Sequence, residues 1–190
     1  MKLAAFGDSN TRYWLGNEGV AGPLREAWPA RLEALLRADG KEVTVSNKGW
    51  PGAGIALARS QFGRMTWNAD AVILSFGTND IKLPEAVLED FIGSLDTILK
   101  ANGSRPLLVL SILWFGRGYG FSGSQDRLPE WNGAAEALCR QRGAHFWDTT
   151  SLFEGQLQFY NDHPVHHLNG AGQARFAQSV YEALQTFHMI

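Results

Sequence analysis

Four short blocks along this chain bring together residue types that can carry acyl-transfer chemistry. The first, Gly7-Asp8-Ser9-Asn10-Thr11, stands directly behind the apolar run Leu3-Ala4-Ala5-Phe6 and so delivers a serine at the end of the first strand-like stretch. A serine hydroxyl is a weak nucleophile at neutral pH; it attacks only when a base takes its proton and fixed donors meet the oxyanion that forms. Residues suited to both tasks follow. Asn47-Lys48-Gly49-Trp50-Pro51-Gly52 and Gly77-Thr78-Asn79-Asp80 supply glycine backbone and side-chain amides. Asp162-His163-Pro164-Val165-His166-His167-Leu168-Asn169 supplies imidazoles and a carboxylate near the C-terminus. Each block also has an ordinary structural use: Gly-Asp-Ser makes turns and helix caps, and an asparagine such as Asn79 can cap the turn after it. Their chemistry depends on whether the chain gathers them.

The elements that would position them alternate between strand and helix, which predicts an α/β fold with a parallel sheet flanked by helices. Strands are expected over residues 2–6, 43–45, 71–76, 107–112 and 144–148. The run Ala71-Val72-Ile73-Leu74-Ser75-Phe76 is apolar enough for a central strand covered on both faces. Helices are expected over residues 24–38, from about Ala53, from Pro84 to Gly103, over 130–142 and over 170–187. In these, Trp28, Leu32, Leu35 and Leu36, then Leu88, Phe91, Ile92, Leu95, Ile98 and Leu99, recur at the helical period. The serine, the glycine turn and Asn79 then all fall just beyond strand ends, the rim where open parallel sheets bind ligands. The stretch from Trp114 to Gly123 is aromatic but punctuated by glycine, which suits a loop that either walls the pocket or covers the sheet edge.

Composition narrows the class. With 190 residues, 45% hydrophobic and 19% charged, the chain fits one domain spanning residues 1–190. A net charge of -2 lacks the basic surplus that nucleic acid or an anionic membrane surface would need. No apolar run reaches the ~18 residues of a membrane span, and strand and Gly-Asp-Ser begin at once, without room for a signal peptide; a cytoplasmic location is expected. Cys139, the one cysteine, lies in an alanine-rich helical stretch and is expected to be buried. There is no internal repeat or low-complexity tract.

The four blocks, in this order over nearly the whole length, closely resemble those of the SGNH (GDSL-type) hydrolases, a family of esterases, lipases, thioesterases and acyltransferases. Gly7-Asp8-Ser9-Asn10-Thr11 and Gly77-Thr78-Asn79-Asp80-Ile81-Lys82 are similar to its arylesterase and acyltransferase branch, whose wording is not repeated around Asn47 to Gly52. The resemblance implies a flavodoxin-like three-layer sandwich on a five-stranded parallel sheet. It implies Ser9 as nucleophile and an oxyanion hole made by the Ser9 amide, Gly52 and Asn79. Gly52 stands five residues after Asn47, as the family's second-block glycine stands after its asparagine, and Gly49 is left to shape the turn. Asp8 and Asp80 are assigned to turn and cap support.

The family's acid precedes its histidine by three residues, and here that spacing is stretched. Three before His167 is Pro164, and three before His166 is His163. The downstream register, His167-Leu168-Asn169 followed by Gly172, favours His167 as base; the distance from Asp162 favours His166. His167 is preferred, with Asp162 orienting its ring and a backbone carbonyl as the substitute if the loop holds Asp162 away. A metal held by Asp162, His163, His166 and His167 is the rival reading, weakened because adjacent histidines seldom face one ion; no metal and no cofactor is expected. The reaction implied is hydrolysis of a carboxylic ester through an acyl-enzyme, with small acyl groups, aryl esters or acetylated sugars expected because 190 residues leave little chain for a lid. An acyltransferase would use the same residues, and a non-catalytic binding module on the same scaffold is the third possibility.

Overall fold

The computed structural model describes residues 1–15, 19–161 and 166–190. Within them β1 (Lys2–Gly7), β2 (Thr44–Gly49), β3 (Ala71–Ser75), β4 (Leu107–Leu110) and β5 (His145–Trp147) form one all-parallel sheet in the order β2-β1-β3-β4-β5. Every residue of β3 is buried, as a middle strand covered on both faces requires. The chain runs outward from β1 to β2 and then crosses to β3 on the other side. A switch point therefore opens between β1 and β3, where the loops above the two strands diverge and leave a crevice.

Helices α1 (Ser9–Arg12), α2 (Trp28–Ala38), α3 (Ile55–Thr66), α4 (Thr78–Ile81), α5 (Leu88–Asn102), α6 (Leu128–Arg142) and α7 (Gly170–Thr186) complete the described fold. Helix α2 packs against α7, and α5 lies between α3 and α6, giving the outer layers of the sandwich. Trp28 and Phe176 meet edge to face at 5.4 Å between α2 and α7, both buried. Cys139 is buried on α6, where burial pushes its thiol up to about 12.

Three boundaries differ from the sequence expectation by four residues, each for a physical reason. Strand β2 runs four residues further, to Gly49, because β1 pairs with it residue for residue as far as Gly7. Residues 24–26 form a separate 3-10 turn before α2, which begins at Trp28 with Pro29 in its first turn. Pro84 does not open α5. The Arg127 guanidinium takes the carbonyl oxygens of Ile81, Leu83 and Ala86, holding that segment in turns, and the helix begins only at Leu88.

Candidate active site

Ser9 is the first residue of α1, immediately after the turn that ends β1. The Asp8 carboxylate caps this short helix by accepting the Asn10 amide at 2.9 Å. The hydroxyl is held at the floor of the β1/β3 crevice, 7% exposed. Its partner is His167, whose Nε2 lies 3.1 Å from Ser9 Oγ. That is hydrogen-bond distance between a hydroxyl and an imidazole, the contact a nucleophile and its base must make.

Asn10 sets this contact, and sequence reasoning passed it over. Its side-chain Nδ2 donates to the His166 carbonyl at 3.0 Å and its Oδ1 accepts the Leu168 amide at 3.0 Å, so one buried side chain grips the backbone on both sides of His167. Gln173 on α7 donates to the Asn10 carbonyl at 3.0 Å and accepts the Trp28 amide at 2.8 Å, tying the serine turn to both outer helices. A polar residue directly after the serine was the available signal.

His166 is also buried, but it takes part in a stack. Its ring lies 3.8 Å from the Tyr119 ring at an interplanar angle of 10°, and 3.8 Å from that of His167 at 45°. The glycine-punctuated loop after β4 therefore walls the site, with Tyr119 as the residue that reaches it. Asp162 and His163 lie outside the described residues. Among the described residues no group of three or more His, Cys, Asp or Glu is placed to hold a metal ion.

Gly52 and Asn79, the residues expected to donate to an oxyanion, lie on neighbouring turns. Gly52 adopts φ 76°, left-handed backbone that favours glycine. Asn79 stands in α4, directly after the β3 end, and its Nδ2 donates to the Ala53 carbonyl at 3.0 Å. The Gly52 turn and Asn79 are thus locked together beside the serine turn. Gly49 does not make the turn expected of it. It ends β2 facing α1, where an added Cβ would lie 2.2 Å from the Arg12 nitrogen, so its lack of a side chain lets the second block close on the first. Asp80 accepts the Ile55 amide with both oxygens, at 2.9 and 3.1 Å, anchoring the start of α3.

Near the strand ends Tyr13 and Trp114 are buried, whereas Trp50 stays 42% exposed. A cavity of about 630 Å³ opens beside the β4 loop, lined by Trp114, Arg117, Asp126, Asn132, Asp148 and Glu154. Neither Ser9 nor a histidine is among the described residues that line it.

Residues 5–175 match the profile of the GDSL-like lipase/acylhydrolase family. The chain belongs to that family. Solved structures similar to this GDSL-family protein include a lipase/acylhydrolase from Enterococcus faecalis, 19% identical with a TM-score of 0.83, over 97% of this chain and 95% of that one. Another is Axe2, an acetylxylan esterase from Geobacillus stearothermophilus, 17% identical with a TM-score of 0.79, over 96% and 93% of the two chains. A third is LAE5, an alpha/beta hydrolase enzyme from the metagenome of Lake Arreo, Spain, 20% identical with a TM-score of 0.78, over 96% and 94%. At these identities the likeness is one of fold. Curated protein sequences give no match. No described helix of this GDSL-family protein is long and apolar enough to cross a membrane.

Charge beneath the site is finely set. Burial pushes the Asp8 carboxyl up to about 7, with Asp80 nearby adding to the rise and Lys82 opposing it. Burial also raises Asp80 and lowers the Lys82 ammonium. Because folded Asp8 holds its proton more tightly than the unfolded chain, whose value is near 3.8, the stability it contributes is fully present below pH 3.8 and lost as pH rises toward 7. The full loss is on the order of 4 kcal/mol at 1.36 kcal/mol per pH unit. Asp8→Asn keeps the cap acceptor and stays neutral. Its Tm should therefore gain on that of the wild type steadily between pH 4.5 and about 7 in thermal melts and level off above; parallel Tm curves would rule this out.

Proposed function

We propose that the protein is a serine esterase that hydrolyses carboxylic esters through an acyl-enzyme. The observation that carries this is the 3.1 Å contact between Ser9 Oγ and His167 Nε2, made in a chain of the GDSL-like lipase/acylhydrolase family. Ser9 Oγ attacks the acyl carbon while His167 Nε2 takes its proton. The tetrahedral oxyanion is met by the amides of Ser9 and Gly52 and by Asn79 Nδ2. Collapse breaks the bond to the leaving alkoxide, which receives the proton from His167. Water then attacks the acyl-enzyme, gives its proton to the same nitrogen, and frees the acid and Ser9. Asp162 is the proposed acid orienting the imidazole, on the strength of its place before the histidines.

Small acyl groups are the proposed substrates, as acetyl or aryl esters or as acetylated sugars. Ser9 and His167 are each 7% exposed and the Tyr119 ring lies over His166, which favours a small group at the serine. The similar fold of an acetylxylan esterase is consistent with a sugar-borne acetyl group. The test is a series of p-nitrophenyl esters from acetyl to octanoyl, with Ser9→Ala as control and a fluorophosphonate to label Ser9. Hydrolysis should be best for the shortest chains and fall about 10³-fold or more in Ser9→Ala. Turnover by Ser9→Ala, or no turnover of any ester by the wild type, would defeat the proposal. Addition of an alcohol tests the transferase reading, which requires the alkyl ester to form in preference to the free acid.

A further inference from the structure

An amide side chain can serve an oxyanion only if its N–H, and not its oxygen, faces the charge. For Asn79 three of the amide's contacts are visible. Nδ2 donates one hydrogen to the Ala53 carbonyl at 3.0 Å. Oδ1 accepts from Lys82 Nζ at 3.1 Å and from the Tyr119 hydroxyl at 3.3 Å. A half-turn of the amide would set Oδ1 against the Ala53 carbonyl and Nδ2 against an ammonium, repulsive at both ends. The network therefore admits one orientation and fixes the direction of the second Nδ2 hydrogen.

The two donors to Oδ1 are themselves held. Lys82 follows Asn79 by three residues at the end of α4, a spacing that sets both side chains on one side of the turn. The β4 loop closes down upon it: Phe121 donates its amide to the Lys82 carbonyl at 3.1 Å, and an added Cβ on Gly120 would lie 2.8 Å from Lys82 Cβ. The ammonium sits 5.1 Å from the centre of the Tyr119 ring, so the loop, the lysine and the tyrosine form one contiguous clamp. Burial lowers the Lys82 ammonium, and Asp8 and Asp80 nearby oppose that fall.

We infer that Lys82 and Tyr119 are positioning residues for the esterase reaction: by donating to Asn79 Oδ1 they lock the oxyanion donor in orientation and draw electron density from its N–H. This rests on the assignment of Ser9 and Asn79 above. A charge-assisted hydrogen bond to the amide oxygen is stronger than a neutral one and polarises the whole group, so the effect reaches the reaction through Nδ2. Tyr119 adds a link to the other half of the site, since the same ring stacks on His166.

The test measures kcat, KM and inhibition by an arylboronic acid, whose Ser9 adduct is tetrahedral and places a hydroxyl where the oxyanion forms. Lys82→Met keeps the aliphatic stem and removes the ammonium. It should lower kcat by about 10- to 100-fold, less than the roughly 10²- to 10³-fold loss expected for removing the donor itself, with KM within about threefold. Boronate affinity should fall with kcat. Tyr119→Phe, which keeps the ring and its stack, should lose roughly three- to tenfold, in keeping with one neutral hydrogen bond. In an Asn79→Ala background both penalties should shrink to less than about twofold, because the amide through which they act is gone. Clamp variants with wild-type kcat, or penalties undiminished in the Asn79→Ala background, would overturn the inference. Should Lys82→Met fail to fold, Tyr119→Phe and its cycle decide alone. Failure of the underlying assignment looks different, since Ser9→Ala would then retain turnover.

Discussion

His167→Ala is expected to cut kcat about 10³-fold or more, to the level of Ser9→Ala, and the two substitutions together should cost no more than either alone, as for groups that act as a unit. The reason is geometric. Asn10 grips the chain at the His166 carbonyl and the Leu168 amide, so the residue between them is the one held at 3.1 Å from Ser9 Oγ. His166→Ala removes a ring from the stack with Tyr119 but no contact to the nucleophile, and should keep kcat within about tenfold of the wild type, the scale of one aromatic pair. Steady-state kinetics on p-nitrophenyl acetate, with folding checked by circular dichroism, separates the two. If His166→Ala is the dead variant, the base has been misassigned. The kcat/KM profile should rise with pH as the imidazole becomes neutral. Asp8, pushed up to about 7, titrates in the region where imidazoles ordinarily do, at about 6.5, so the profile is best read in Asp8→Asn, which removes one of the two groups.

What could be read from the sequence divides along physical lines. The apolar runs over residues 71–76 and 107–112 announce buried parallel strands because strand propensity and continuous apolarity are local properties of those runs. The order of the strands is not local, and the crevice between β1 and β3 came from the structure. Helix starts were misplaced where a distant group competed: Arg127, more than 40 residues along the chain, holds the segment in which Pro84 promised a helix. The same division holds in the site. Ser9, Gly52 and Asn79 stand in recognisable words, whereas Asn10, Lys82 and Tyr119 act through contacts made only on folding, spanning up to 158 residues for the Asn10–Leu168 bond. The word Gly-Thr-Asn-Asp-Ile-Lys contained the lysine, but nothing in its spacing said that the ammonium would turn back onto the asparagine oxygen at 3.1 Å.

Asn79→Ala is expected to lower kcat by about 10² to 10³ with little change in KM, the usual cost of removing one donor that meets charge only in the transition state. The same change leaves the Ala53 carbonyl without its Asn79 partner, worth about 1 kcal/mol of stability, so a modest fall in Tm should accompany the kinetic loss. The two effects can be pulled apart with Asn79→Asp. A carboxylate of the same shape still accepts from Lys82 and Tyr119, and its pairing with the ammonium offsets the repulsion that its second oxygen meets at the Ala53 carbonyl, so Tm should fall no further than in Asn79→Ala. Toward the oxyanion, however, it offers lone pairs in place of a hydrogen, and kcat should fall at least as far as in Asn79→Ala. A variant no less stable than Asn79→Ala yet more than a hundredfold slower than the wild type would mark the Nδ2 hydrogen as the group that matters. If Asn79→Asp instead retains most of its kcat, the oxyanion is stabilised by the Ser9 and Gly52 amides alone, and Asn79 serves to fasten the Gly52 turn.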